Sequence, residues 1–263
     1  MSNPFFDKIN FHDNHYLYKL QKNNSNLIGT WGVETADSKS FLSLENGGYD
    51  YEVEKVSSSI NSISNQFISN YTFNEGKFNL NLNESIDNNK VYREHRLQAL
   101  EDSYFMDFVM RFQFNKDLFP YASIGGDVFE HKNIYINYQY EVDKVVLYGE
   151  TYKVTVEVTD VKKVDNFKQV IYVRGNENYW VVHVRLFPRA YDREIIKLVR
   201  YTKKARPLPQ FLANALLKTP LNKHLWYNGE KSTLKLPINA FGLVKVCKSE
   251  ELVLKTRTIF EHI

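Results

Sequence analysis

Two alternating stretches of this chain carry ionisable side chains opposite large apolar faces. In residues 103–114, Tyr104, Met106, Phe108, Met110, Phe112 and Phe114 recur at every second position, and Ser103, Asp107, Arg111 and Gln113 fall on the other side. In residues 179–187, Trp180, Val182, Val184 and Leu186 alternate with Tyr179, Val181, His183, Arg185 and Phe187. Such polar groups point either to water or into a cavity. In water, Asp107 with Arg111 and His183 with Arg185 are exposed cross-strand partners of little energetic weight. In a cavity, Arg111 and Arg185 would grip an anion bidentately, and His183 or Asp107 would move a proton. His95, from the ionisable cluster just before residue 103, is a third proton carrier, and Tyr104, Tyr138 and Trp180 supply aromatic walls. This set suits a small hydrophobic or aromatic anionic ligand and calls for no metal or cofactor.

Other chemistries lack their signatures. No phosphate-binding Gly-x4-Gly-Lys-Ser loop, nucleophile elbow, dinucleotide fingerprint or Cys-x2-Cys pair occurs. His12 and His15 have helical ligand spacing inside a polar stretch without helical periodicity, which reads as a solvated pair. His95, His131 and His183 could converge from three strands, although no His-x-His supports a metal there. The single Cys247 lies in an apolar alternation and reads as a buried, inert thiol.

Charge is balanced overall and uneven along the chain. Residues 1–142 hold 12 Lys+Arg and 19 Asp+Glu, and residues 143–263 hold 22 and 12, so the halves carry −7 and +10 and sum to +3. Pairing between halves explains this more simply than an anionic partner does. Lys197, Arg200, Lys203, Lys204 and Arg206 form a basic run around Tyr201, the type of surface that stacks single-stranded bases. The balanced total tells against nucleic acid, and a lysine-guarded edge strand has the same composition. No apolar run reaches signal-peptide or membrane-helix length, so the expected location is the cytoplasm, with no membrane partner. Oligomeric state leaves no mark in the sequence.

The elements that must position these residues are strands. Asn46-Gly47 between apolar runs and Asn74-Glu75-Gly76 between residues 66–73 and 77–82 are hairpin signals. Residues 57–65 read as a Ser/Asn-rich exposed loop, and 83–89 as a polar connection. Residues 134–140, 145–158 and 170–187 add further two-faced strands. Residues 210–218, between Pro209 and Pro220, place Phe211, Leu212, Ala215 and Leu216 at helical spacing.

Near the start, Gly29, Thr30 and Trp31 open a strand, and Arg257 lies in a last strand-like run. This opening resembles that of lipocalin-type (calycin) β-barrel proteins. The resemblance implies a barrel floor closed by Trp31, packed beneath Arg257, and an enclosed small-molecule site.

The expected fold is mainly β: antiparallel lipocalin-like barrel(s) or a large β-sandwich, with one flanking helix at 210–218. It forms a single β-rich domain over 1–263, or two adjoining β-barrels with a boundary near 83–120. The expected function is intracellular binding of an aromatic or acyl anionic metabolite, with metal-independent acid–base isomerisation, cyclisation or dehydration. The alternative is a non-catalytic binding or structural module for carbohydrate or protein contacts.

Overall fold

The structure, a computed structural model, describes residues 3–11, 17–37, 40–45, 50–51, 53–61, 65–105, 107–132, 137–165, 167–188, 215 and 244–263. The first strands are β1 (Lys8–Phe11), β2 (Leu17–Lys22), β3 (Ser25–Asn26), β4 (Gly32–Ala36), β5 (Phe41–Glu45), β6 (Asp50–Tyr51) and β7 (Glu54–Asn61). Next come β8 (Gln66–Phe73), β9 (Gly76–Asp87), β10 (Lys90–Ala99), β11 (Ser103–Phe105), β12 (Asp107–Asn115), β13 (Tyr121–Ile124) and β14 (Asp127–Glu130). The last are β15 (Asn137–Tyr140), β16 (Lys144–Tyr148), β17 (Tyr152–Lys162), β18 (Phe167–Gly175), β19 (Tyr179–Pro188), β20 (Val244–Val246) and β21 (Glu251–His262).

Two large antiparallel sheets stack as a sandwich. One has nine strands in the order β14-β13-β16-β17-β21-β10-β9-β8-β7, and the other seven in the order β15-β18-β19-β12-β4-β5-β6. Among the described residues both sheets keep free edges, as a sandwich does and a closed barrel does not. β1-β2-β3 and β11-β20 form small separate sheets.

Period-two alternation explains the stacking. Phe108, Met110, Phe112 and Phe114 of β12 are fully buried against the nine-stranded sheet, where Val91, Leu97, Leu254 and Phe260 face them. Burying each such side chain contributes about 1.5–3 kcal/mol before the entropy of ordering it. Trp31 packs edge-on to Phe112 and Phe114 at 5.0 and 5.7 Å and stacks on Phe260 at 6.4 Å, tying the two layers together. The guanidinium above Trp31 belongs to Arg93 of β10, 5.3 Å from the ring. Arg257 lies on the opposite, outward side of the nine-stranded sheet, donating to Glu157 Oε2 at 2.6 Å.

Several local expectations change. The segment read as a loop at 57–65 contains most of β7, paired with β8 from Glu54↔Thr72 to Asn61↔Gln66. The connection read at 83–89 is the second half of β9, because Leu82, Glu84 and Ile86 continue its inward alternation as far as a turn at Asn88 (φ 51°). The stretch expected as one strand from Tyr104 divides between two sheets: β11 pairs with β20, and β12 pairs with β4 and β19. Cys247, just past β20, is exposed. Of the helix expected at 210–218 only Ala215 is described, and it is helical; the remainder, the basic run at 197–206 and His12 and His15 lie outside the described residues. Among the described residues no helix is long and apolar enough to cross a membrane.

Candidate functional site

The face of the seven-stranded sheet that looks away from the sandwich core carries a dense set of charges. Register determines who meets whom. Arg111 of β12 lies opposite His183 of β19 on one side and Gly32 of β4 on the other, and Gly32 in turn lies opposite Glu45 of β5. Val109 lies between Arg185 and Glu34, and His183 lies opposite Tyr172 of β18. All these positions share one face, since directly opposed residues in an antiparallel pair point the same way.

Gly32 makes the central contact possible. A Cβ there would lie 2.0 Å from the Leu44 carbonyl oxygen and 2.6 Å from Glu45 Cβ. With no side chain at 32, Arg111 reaches across β4 and donates from Nη1 to Glu45 Oε2, and from the same nitrogen to Thr30 Oγ1 at 3.0 Å. Its Nε lies 3.4 Å from Glu34 Oε1. Gln113, on the same face, accepts the Thr30 N–H at its Oε1 (3.2 Å), and its carbonyl accepts the Gly29 N–H (2.8 Å) and the Trp31 indole N–H (3.3 Å). The Gly29-Thr30-Trp31 segment thus packs beside the cluster and holds Arg111 through Thr30.

Glu34 and His183 stand side by side within this cluster. Glu34 Oε2 is 3.7 Å from His183 Nε2, and that nitrogen has no hydrogen-bond partner among the described residues. Burial pushes the Glu34 carboxyl up to about 7; Arg111 pulls it back, and the second carboxylate on the same guanidinium, Glu45, pushes it up again. Burial, followed by repulsion from Arg174, Arg111 and Arg185, holds the His183 imidazole well below its usual value. The ordinary order is inverted: near neutrality His183 is a neutral acceptor while Glu34 can still hold its proton. Arg185 pairs with Asp107 further along the face, and its guanidinium lies 6.0 Å from the Tyr172 ring.

The residues expected from sequence divide between three places. His183, Arg185, Asp107 and Arg111 come together on this face. His95 does not join them: it is fully buried between the two sheets, 3.7 Å from Glu84 Oε1. Trp180 points into the sandwich core and donates its indole N–H to the Phe119 carbonyl at 2.8 Å, so it lines no site. Tyr104 is exposed on β11, away from the cluster. Tyr138 lies on β15, and its side chain is outside the described set. His131 contacts Trp180 and the Tyr179 carbonyl, so the three histidines do not converge. Among the described residues no His, Cys, Asp and Glu group is placed to hold a metal ion.

Glu34, Glu45, Gly32, Thr30 and Tyr172 complete the site without having been singled out by their spacing. A signal existed for Glu34, a carboxylate alternating with Val33 and Thr35 just as Asp107 alternates with Phe108. Glu45 was hidden by its place beside the Asn46-Gly47 turn signal.

No family model and no curated protein matches the chain. Among solved structures it is similar to a putative aldose 1-epimerase from Escherichia coli K12 (8% identity, 97% of this chain and 96% of that one, TM-score 0.45). It is also similar to galactose mutarotase-like proteins from Lactobacillus casei ATCC 334 (11% identity, 99% of each chain, TM-score 0.45) and from Clostridium acetobutylicum (8% identity, 94% and 90%, TM-score 0.41).

Proposed function

We propose that the Glu34–His183 pair performs acid–base isomerisation of a small hydroxylated ligand at the face of the seven-stranded sheet. The observation that carries this reading is the inverted pair itself, with Arg111 held beside it by Thr30 and Glu45. In a cyclic hemiacetal, neutral His183 takes the hydroxyl proton as the ring C–O bond breaks, and protonated Glu34 gives its proton to the departing ring oxygen. Closure from either face of the new carbonyl reverses both transfers, so no redox partner is needed. Arg111 lies where charge on the developing oxyanion would be offset.

The lining favours hydroxyl groups over an aromatic or acyl body. Apart from Tyr172, the groups around the pair are Thr30, Gln113, Glu45 and Arg111, which donate and accept hydrogen bonds. Arg111, Arg174 and Arg185 stand along the same face, so acidic sugars belong beside neutral aldoses in a substrate panel.

Polarimetry and NMR exchange on such a panel, with wild type and Glu34→Gln, test this reading. Glu34→Gln is expected to keep the fold and lose about 10²–10⁴-fold in turnover, the usual contribution of a positioned acid. Turnover that survives the substitution removes Glu34 from the mechanism. Wild-type activity is expected to fall as pH rises through about 7, where Glu34 loses its proton.

One observation favours a non-catalytic contact surface as a second reading. On the outer face of the nine-stranded sheet, Tyr92 stands 37% exposed at a depression of about 180 Å³ shared with Asn83, Ser85, Glu94, Thr159 and Lys255. On that reading Tyr92→Ala abolishes saccharide binding and Glu34→Gln leaves it intact.

A further inference from the structure

The two ends of the nine-stranded sheet are unequal. β14 at one end has four residues, while β7 at the other has eight. Short strands and terminal charges, such as Asp127 and Glu130 of β14, protect an edge from pairing. β7 lacks these protections. It contains no proline, both of its charges sit at one end (Glu54 and Lys55), and residues 54–60 are all exposed, with Val56 at 60% and Ile60 at 50%.

The sequence of this edge is symmetric about Ser58: Ser57 and Ser59 flank it, then Val56 and Ile60. We propose that β7 pairs antiparallel with β7 of a second copy of this chain, about a two-fold axis at Ser58. In that register Ser58 meets its own copy, each Ser57 meets a Ser59, and each Val56 meets an Ile60. Lys55 falls opposite position 61 and Glu54 beyond it, so like charges do not oppose one another. The two exposed aliphatic side chains of each strand become two directly opposed apolar pairs. Ladder hydrogen bonds take up the edge's unpaired N–H and C=O groups.

Val56 is the residue skipped between Lys55 and Ser57 in the pairing with β8, so the bulge lies at one end of the self-paired segment and leaves the register from Ser57 to Asn61 regular. The axis therefore sits in the regular part of the strand. Two nine-stranded sheets become one continuous sheet, and the Glu34–His183 face, in the other sheet, stays clear. A two-fold, self-complementary contact closes after two copies, which explains how so long an edge avoids open-ended growth.

Light scattering coupled to size exclusion is expected to give about 62 kDa, twice the 31.0 kDa chain mass. Val56→Lys with Ile60→Lys places lysines opposite lysines, at positions exposed in the single chain, and is expected to return the protein to monomer with unchanged circular dichroism. Directly opposed residues in an antiparallel ladder have Cα atoms about 4.5–5.5 Å apart, within disulfide range. In a Cys247→Ser background, Ser58→Cys should therefore cross-link quantitatively under mild oxidation, while Glu54→Cys should not. A monomer at every concentration overturns the proposal. So does a dimer that survives the double lysine variant, or one in which Ser58→Cys cross-links no better than Glu54→Cys.

Discussion

The protein buries two Arg–Glu–His clusters, and their chemistry is opposite. Between the sheets, Arg93 of β10 donates to Glu84 of β9, with His95 beside them. On the outer face of the seven-stranded sheet, Arg111 lies between Glu34 and Glu45, with His183 beside Glu34. Burial tends to raise Glu84, but Arg93, which donates to it, and the adjacent His95 outweigh it, so the carboxyl ends below its ordinary value. For Glu34 the same burial wins: the pull of Arg111 is opposed by the second carboxylate on that guanidinium, Glu45. Pairing with an arginine does not by itself lower a carboxyl, since burial also raises Asp107 although Arg185 pairs with it; a second carboxylate on the guanidinium adds to the rise and helps leave a proton available near neutrality. Residue types alone do not separate a structural cluster from a reactive one. The balance between burial and the arginine does, and a second carboxylate on the same arginine shifts it.

The clusters are also joined back to back. Arg93 donates from Nη1 to the Arg111 carbonyl at 3.0 Å and from Nη2 to the Gly32 carbonyl at 3.2 Å, while its guanidinium lies 4.7 Å from the Phe112 ring. It therefore holds the backbone from which the outer cluster projects. Arg93→Met leaves Glu84 as a buried carboxylate without its main partner, and the expected loss is about 3–5 kcal/mol, read from the urea midpoint. A change under about 1 kcal/mol would show that the inner cluster is not the fixed pair described here. Adding Glu84→Gln to Arg93→Met should recover part of the loss, since the unpaired charge is then gone.

The pH dependence of stability separates the clusters next. Burial, followed by Arg93, lowers His95 from 6.5 to about 4. A depressed folded pKa contributes stability that is complete above the unfolded value and is lost as pH falls from about 6.5 toward 4. At about 1.4 kcal/mol per pH unit this amounts to about 3 kcal/mol. Glu34 acts with the other sign: raised from 4.5 to about 7, it contributes stability that is complete below 4.5 and is lost as pH rises through about 7. Urea midpoints between pH 4 and 8 test both slopes. His95→Gln should flatten the acid side, Glu34→Gln the neutral side, and neither the other's.

Much of this was legible because strand faces are readable at period two. Asp107, Arg111, His183 and Arg185 each interrupt an apolar-backed strand, and the alternation placed them on the face opposite Phe112 and Trp180. His95 misled because its neighbours Arg93 and Glu94 made the segment look polar. In β10, Val91, Arg93, His95 and Leu97 point inward together, so two of the ionisable residues face the core while Tyr92, Glu94 and Arg96 face water. Which arginine each carboxylate meets depends on strand order, and β12 lies between β19 and β4, about 70 residues away on either side in sequence. Periodicity carries no information about that order. The reach of Arg111 across Gly32 to Glu45 likewise exists only once β4 is known to separate β12 from β5.

The smallest effect tests the part played by the second carboxylate most directly. Glu45→Gln removes the second carboxylate while leaving a group that can accept from Arg111. Glu34 then has Arg111 to itself, as Glu84 has Arg93, and its pKa should fall from about 7 toward the ordinary 4.5. The descending limb of the activity–pH profile should move to lower pH with it, while the rate on the acid side, where Glu34 is protonated in either protein, stays close to wild type. Asp107→Asn provides the comparison: Asp107 also raises Glu34 but contributes less than Glu45, so its removal should displace the limb less. If the two variants leave the limb where it was, burial alone sets the Glu34 proton, and sharing of Arg111 is not what distinguishes the outer cluster from the inner one.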